Sequence, residues 1–117
     1  MIAIPPSKKK TPRRAPVFVP GDLVKHRRYG YRGVVVDSDS KCRASDVWYQ
    51  SNQTQPDKNQ PWYHVLVDGS ETVTYPAESS LVADDGGQPI VHPLVAEYFD
   101  GFEDGRHLRN DLPWPRS

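Results

Sequence analysis

The amino-acid sequence predicts a mainly β protein, a small β-barrel of about five short strands followed by a short C-terminal helix. Three observations predict this fold class. From residue 17 onward, short apolar runs alternate with turn residues, which is typical of short strands. Residues 34–36 are all valine, which indicates a strand buried on both faces. Asp68-Gly69 directly follows an apolar run and is a strong β-hairpin signal.

Residues 1–16 differ in composition from the rest of the chain. They hold four of the twelve prolines and five basic residues, with few apolar side chains to bury. Segments of this composition do not form a packed core. The sequence therefore predicts a disordered basic tail over residues 1–16, one domain over residues 17–90, and a helix with an extended tail over residues 91–117.

The first two predicted strands are joined by a short turn. Residues 23–26 and 31–36 are apolar runs of strand length, and the second is rich in β-branched side chains. Residues 27–30 end in glycine and form the predicted turn. We expect these residues to form a β-hairpin with an exposed tip.

A long connection follows over residues 37–61, rich in Ser, Asp, Asn and Gln. Compact domains rarely contain a connection of this length without regular structure. Its middle, residues 44–50, contains Val47, Trp48 and Tyr49. We therefore expect the middle to pack as a short helical turn or a flap.

Three more strands are predicted after this connection. Residues 62–67 give the clearest strand pattern of the chain. The turn signal at Asp68-Gly69 predicts a hairpin to residues 71–75, where Thr alternates with Val and Tyr. Residues 79–83 predict one more short strand that closes the sheet.

The spacing of apolar residues predicts a helix after His92-Pro93, since proline is well placed in a first helical turn. Apolar side chains then recur at intervals of three and four, at Leu94, Val95, Tyr98, Phe99 and Phe102. We expect the helix to pack on the barrel and to end at residue 105, with an extended tail over residues 110–117.

The composition gives no sign of a membrane protein or of a disulfide framework. No stretch approaches the roughly 20 apolar residues of a membrane span, and no apolar signal-peptide region follows the basic N-terminus. Cys42 is the only cysteine, so it cannot form an internal disulfide and suits a reducing compartment. We expect a cytoplasmic protein.

No catalytic or metal site is predicted. The four histidines lie at positions 26, 64, 92 and 107, and one cysteine cannot build a thiolate metal site. The sequence contains neither the G-x-S-x-G motif of a hydrolase nor a glycine-rich phosphate loop. We expect a binding module that is not an enzyme and that has no cofactor.

Positive and negative charges are separated along the chain, although its net charge is zero. Residues 1–36 contain nine Lys or Arg and one acid, Asp22, whereas residues 37–117 contain six bases and fourteen acids. This asymmetry favours a dipolar molecule that presents a basic surface to an anion. Since five of the nine bases lie in the predicted tail, the alternative is a basic tail on a domain without a basic face.

The segment over residues 25–33 concentrates positive charge and aromatic rings at the predicted hairpin tip. Its candidate nucleic-acid-binding residues are Lys25, Arg27, Arg28, Tyr29, Tyr31 and Arg32. Basic side chains neutralise phosphates and aromatic rings stack on bases, and a two-stranded ribbon fits the major groove. The alternative is an ordinary turn, in which the glycine supplies backbone freedom and the tyrosines cover the barrel.

Three segments of the chain carry a recognisable pattern, over residues 24–36, 59–68 and 74–81. Its most specific parts are His-x-x-Tyr-Gly-Tyr in the first segment and Pro-Trp-Tyr-His-Val in the second. In order and spacing, residues 20–82 resemble the HspQ/YccV-like family, also called the hemimethylated-DNA-binding domain. The His-Pro helix and the Pro-Trp-Pro tail resemble an extension found in some relatives, including the domain attached to some F-box proteins.

The resemblance implies a small SH3-like β-barrel that binds double-stranded DNA, with a preference for hemimethylated sites in bacterial members. It also implies a role in regulated proteolysis, with Lon in bacteria and with the Clp system in plastids. The family has no agreed catalytic residues, so none is transferred to this chain.

Two further interpretations stay open. A protein-interaction module, acting as an adaptor or specificity factor for an ATP-dependent protease, would use the acidic C-terminal half, the predicted helix and the loop that carries Trp48. A barrel that forms a homo-oligomer would use its strand edges.

Overall fold

The computed structural model describes residues 17–115, in which seven strands and two short helices follow one another. The strands are β1 (Leu23–His26), β2 (Arg32–Asp39), β3 (Trp62–Val67), β4 (Val73–Thr74), β5 (Leu81–Ala83), β6 (Phe99–Glu103) and β7 (Arg106–Arg109). The helices are α1 (Asp46–Gln50) and α2 (Val95–Tyr98), and a 3-10 turn covers Glu78–Ser80. None of the helices in this part of the chain is long and apolar enough to span a membrane. The basic tail predicted for residues 1–16 lies outside the described residues.

The first five strands form one antiparallel sheet in the order β4-β3-β2-β1-β5. In register, Val24 lies opposite Gly33, and Val35 lies opposite Val65. The mainly β prediction is confirmed. Strand pairing among the described residues leaves β4 and β5 as edges and does not close the sheet, so the predicted barrel closure is not confirmed.

The valine run in β2 is buried on both faces, as predicted. Val34 and Val36 belong to one buried cluster, which also contains Tyr98 and Phe99. Val35 belongs to a second cluster on the opposite face, with side chains from β1, β3 and β5. The C-terminal segment therefore covers one face of the sheet, and this layer explains the burial that the sequence analysis attributed to a barrel.

The predicted helix over residues 93–105 is wrong beyond Tyr98. After the four residues of α2, the chain turns into the antiparallel hairpin β6–β7. Asp104 (φ 55°) and Gly105 (φ 76°) form its turn, and Asp-Gly is a strong signal for a turn with two positive φ values. A register shift between Phe99 and Gly101 lets apolar side chains at helical spacing occur within a strand.

The C-terminal hairpin is attached to the turn that precedes β1. The backbone N–H of His107 donates to the carbonyl of Gly21 (3.0 Å), and Arg106 Nη2 lies 2.9 Å from Asp22 Oδ1. Arg109 Nε donates to the carbonyl of Val36 (2.9 Å). These contacts place the hairpin firmly on the sheet.

The tail that follows β7 packs on the domain through Trp114. Trp114 is half-buried and packs against the first cluster, with its ring centroid 5.1 Å from that of Tyr98 and 5.8 Å from that of His64. The adaptor interpretation therefore loses its long amphipathic helix, and its Pro-Trp-Pro tail is partly used in packing.

Candidate nucleic-acid interface

The turn between β1 and β2 is held in place by the imidazole of His26. Its Nδ1 accepts hydrogen bonds from the backbone N–H groups of Arg28 and Tyr29, each 3.1 Å long. The carbonyl of His26 accepts from the N–H of Gly30, whose φ of 77° suits glycine. Because Nδ1 accepts, the ring is neutral. Burial, and then the charge of Arg28, lowers the pKa of His26 below its ordinary value.

Three basic side chains project from β1 and this turn. Lys25, Arg27 and Arg28 are exposed, and none of them forms an ion pair with a residue in the 17–115 range. The backbone N–H of Arg27 donates to the carbonyl of Ser80 (2.8 Å) and fastens the turn to the 3-10 turn. We call these three side chains the basic cluster.

Arg32 differs from the basic cluster because its guanidinium is fully engaged within the protein. Its Nη1 lies 3.0 Å from Asp68 Oδ2, and its Nε lies 2.9 Å from Asp84 Oδ2. Its Nη2 donates to the carbonyl of Gln88 (2.5 Å). The side chain thus joins β2 to the loops after β3 and β5.

The two predicted tyrosines occupy different environments. Tyr29 is 51% exposed, stacks on His26 at a centroid distance of 4.6 Å, and donates from Oη to Gln53 Oε1 (3.1 Å). Tyr31 lies just before β2, with its Oη 2.7 Å from Thr74 Oγ1, and burial raises its pKa. Tyr29 can therefore meet a ligand at the surface, whereas Tyr31 is mostly enclosed.

A cavity of about 300 Å³ opens beside Tyr29. We call it the aromatic pocket, since rings form much of its lining, to which no Asp or Glu of residues 17–115 contributes. These rings belong to His26, Tyr29, Tyr31, Trp48, Tyr49, Trp62 and Tyr75. The pocket thus adjoins the basic cluster and shares two rings with the turn.

One wall of the aromatic pocket is the flap, residues 40–60, which contains α1. Ser45 Oγ accepts from the N–H of Trp48 (3.1 Å) and caps the helix. Tyr49 Oη donates to the carbonyls of Gln55 and Pro56. Because α1 contains no buried residue, local hydrogen bonds rather than core packing form it, as the sequence analysis expected for a short helical turn.

The rear wall consists of Trp62 and Tyr75, whose ring centroids are 5.4 Å apart. Trp48 meets both rings edge-on, at centroid distances of 6.3 and 5.7 Å. Tyr75 Oη donates to Asp39 Oδ2 (2.6 Å), and His64 Nε2 lies 3.2 Å from the same oxygen. Burial, and then the hydrogen bond to Asp39, raises the pKa of Tyr75, so its hydroxyl stays protonated and its ring is held in place.

The histidines outside the turn serve the fold. His92 Nδ1 accepts from the N–H of Leu94 (3.1 Å), and His107 Nε2 accepts from the N–H of Ile90 (3.0 Å). Burial lowers the pKa of His107, which keeps it neutral and able to accept. Within residues 17–115, no three metal-ligating side chains come together.

Sequence reasoning identified the turn but missed the aromatic pocket. It placed Trp48 in a helical turn or flap that the adaptor interpretation would use for partner binding. It placed Trp62 in a strand and assigned no role to Tyr75. The signal that was present is the concentration of rings, because five of the nine Trp and Tyr residues lie between positions 48 and 75. Their convergence depends on the sheet register and on the path of the flap.

The chain is similar to proteins of known family. The family model described as "Hemimethylated DNA-binding protein YccV like" matches residues 17–106, which include the turn, the flap and the sheet. F-box only protein 21 of Homo sapiens, of Mus musculus and of Pongo abelii is 34% identical over 94 residues. The match covers 77% of this chain and 15% of each relative, so the chain spans only a small part of their length.

Proposed function

Because the chain belongs to the YccV-like family of hemimethylated DNA-binding proteins, we propose that it binds double-stranded DNA through the turn between β1 and β2. The observation that carries this proposal is the basic cluster. Lys25, Arg27 and Arg28 are exposed and have no acidic partner among the described residues. When such side chains neutralise phosphates, the counterions condensed on the DNA are released, and this release drives DNA binding.

The neighbouring residues fit a division of roles around this cluster. Tyr29 lies at the surface beside Arg28, whose guanidinium carbon is 5.8 Å from its ring centroid, so its ring can approach a base or a sugar. His26 is a positioning residue, since it holds the turn from the inside. Arg32 keeps the turn joined to the acidic loops and contributes little to phosphate contacts.

Recognition of hemimethylated sites is the finer part of the proposal. The methyl group on N6 of adenine lies in the major groove and is read by a small apolar contact there. Burying one methyl contributes on the order of 1 kcal/mol. Discrimination by this contact alone would be less than about tenfold, so most of the affinity would come from phosphates. The bound protein acts as a non-catalytic module.

Fluorescence anisotropy on one duplex sequence tests both DNA binding and the recognition of hemimethylated sites. The duplex is prepared in unmethylated, hemimethylated and fully methylated forms, and each form is titrated across a salt series. We expect all three to bind, with affinity that falls steeply as salt rises, and the hemimethylated form to bind tightest. Equal binding of all three would overturn methyl recognition, and the absence of binding at low salt would overturn DNA binding.

A further inference from the structure

We propose that the aromatic pocket holds a single nucleobase that has left the base stack of the bound nucleic acid. This inference rests on the proposed DNA binding and adds a ligand site to it. Ligand sites in proteins span roughly 300–1,000 Å³, and this cavity of about 300 Å³ suits one small planar group. Aromatic walls stack on any base, because every base presents a π-face.

The position of the pocket supports this occupant. Tyr29 and His26 belong both to the pocket lining and to the turn that carries the basic cluster. A nucleotide whose base enters the pocket would keep its phosphates outside, next to Arg27 and Arg28. Enzymes that extrude bases recognise them by stacking between aromatic side chains, and the pocket supplies such side chains beside the phosphate-binding groups.

Charge distinguishes a base from the other group that aromatic cages commonly bind, a methylated ammonium ion. Within residues 17–115, no carboxylate contributes to the pocket lining, and the guanidinium carbon of Arg28 lies over the ring of Tyr29, 5.8 Å from its centroid. A cation would meet this positive charge without an acidic partner in the lining. A neutral base on an anionic backbone fits both features.

The pocket also contains polar groups that a base edge needs. Asn52, Thr54 and Ser80 line it alongside the rings. Trp62 also lines the pocket with its ring, and its indole Nε1 is buried without an acceptor among residues 17–115, so a small shift of the ring would let it donate to a bound base. Base edges carry both donors and acceptors, so a base satisfies groups of this kind, whereas a purely apolar ligand leaves them unpaired.

The test compares two fluorescein-labelled duplexes that are identical except for one unpaired adenine in the second. An unpaired base enters the pocket without the loss of a base pair. We therefore expect the full chain to bind the bulged duplex about tenfold more tightly than the paired one, the scale of one stacked base. Both affinities are measured by anisotropy across a salt series.

Two variants of the same helix provide the contrast. Trp48→Ala removes one pocket wall, and because α1 has no buried residue the core stays intact. We expect it to lose most of the preference for the bulged duplex while the salt dependence stays unchanged. Val47→Ala is the matched control, since Val47 is 80% exposed and does not line the pocket, and it should keep the preference.

The outcomes separate this inference from the proposed function. Equal binding of the two duplexes by the wild type, or a preference that survives in Trp48→Ala, overturns the base-binding pocket and leaves DNA binding intact. Failure to bind either duplex overturns both proposals. Quenching of tryptophan fluorescence by a trimethyl-lysine peptide, without a preference for the bulged duplex, would identify a cation cage and also overturn the inference.

Discussion

Neutralising Arg27 and Arg28 should reduce the salt dependence of DNA binding, whereas neutralising Arg32 should not. For duplex DNA, each phosphate contact contributes about 0.9 to the slope of log affinity against log salt concentration. The double variant Arg27→Gln/Arg28→Gln removes two such contacts and should therefore reduce the slope by about 1.8. Because both side chains are exposed, the variant should fold normally.

The same relation gives the expected loss of affinity. If the wild type and the double variant bind equally at 1 M salt, a slope that is smaller by about 1.8 makes the affinity of the variant at 0.1 M salt about 60-fold lower than that of the wild type. Arg32→Gln should leave the slope unchanged, since its guanidinium is occupied by Asp68 and Asp84. It should instead lower the free energy of unfolding by about 1–3 kcal/mol, because it removes the guanidinium donor from two partly buried carboxylates.

Anisotropy titrations at four or more salt concentrations measure the slopes, and urea denaturation measures the stability. Lys41→Gln/Arg43→Gln is the matched control, since it removes two exposed charges outside the turn and should lower the slope far less. The assignment of the basic cluster would be refuted by an unchanged slope in Arg27→Gln/Arg28→Gln. It would also be refuted by an equal reduction in Arg32→Gln.

Three further predictions concern stability. Tyr63→Phe should lower the free energy of unfolding by about 1–3 kcal/mol in urea denaturation, because the N–H of Phe18 loses its acceptor. Burial raises the pKa of Tyr63 to about 12, so the wild type should also lose stability as the pH rises from 10 to 12. This loss of stability should be smaller in the variant. Acidification below pH 6.5 should destabilise the wild type, because burial lowers the pKa of His107 in the folded state and the unfolded state therefore binds the proton more readily. His107→Phe should reduce this loss of stability at low pH. An unchanged pH profile of thermal unfolding in the variant would contradict the prediction. Gly33→Ala should prevent normal pairing of β2 and β3, because the added Cβ would overlap Val65 Cγ1 and the carbonyl oxygen of Leu66. Circular dichroism would detect the loss of folded protein.

Local sequence signals were sufficient for the elements that depend on neighbouring residues. Strand β1 was predicted with its observed bounds, and the hairpin signal at Asp68-Gly69 correctly marked the turn after β3. The short helix around Trp48 was also expected. These elements follow from alternation, turn chemistry and capping within a few residues.

The errors arose where distant residues decide the structure. Tyr98, Phe99 and Phe102 fit a helical spacing, but the Asp-Gly turn and the sheet surface below favour a hairpin. The two acidic partners of Arg32 lie 36 and 52 residues away, so its charge alone could not distinguish it from the other arginines. The predicted assembly through strand edges stays a prediction.

The attachment of the last hairpin to the first turn has a consequence for how the chain folds during synthesis. The hydrogen bonds of Arg106 join residues 84 and 86 positions apart, so they form only after nearly the whole domain has left the ribosome. Until then, the face of β2 that carries Val34 and Val36 lacks the layer that buries it. A nascent chain halted before residue 94 should therefore expose an apolar sheet surface that is prone to aggregation, and it should depend on chaperones.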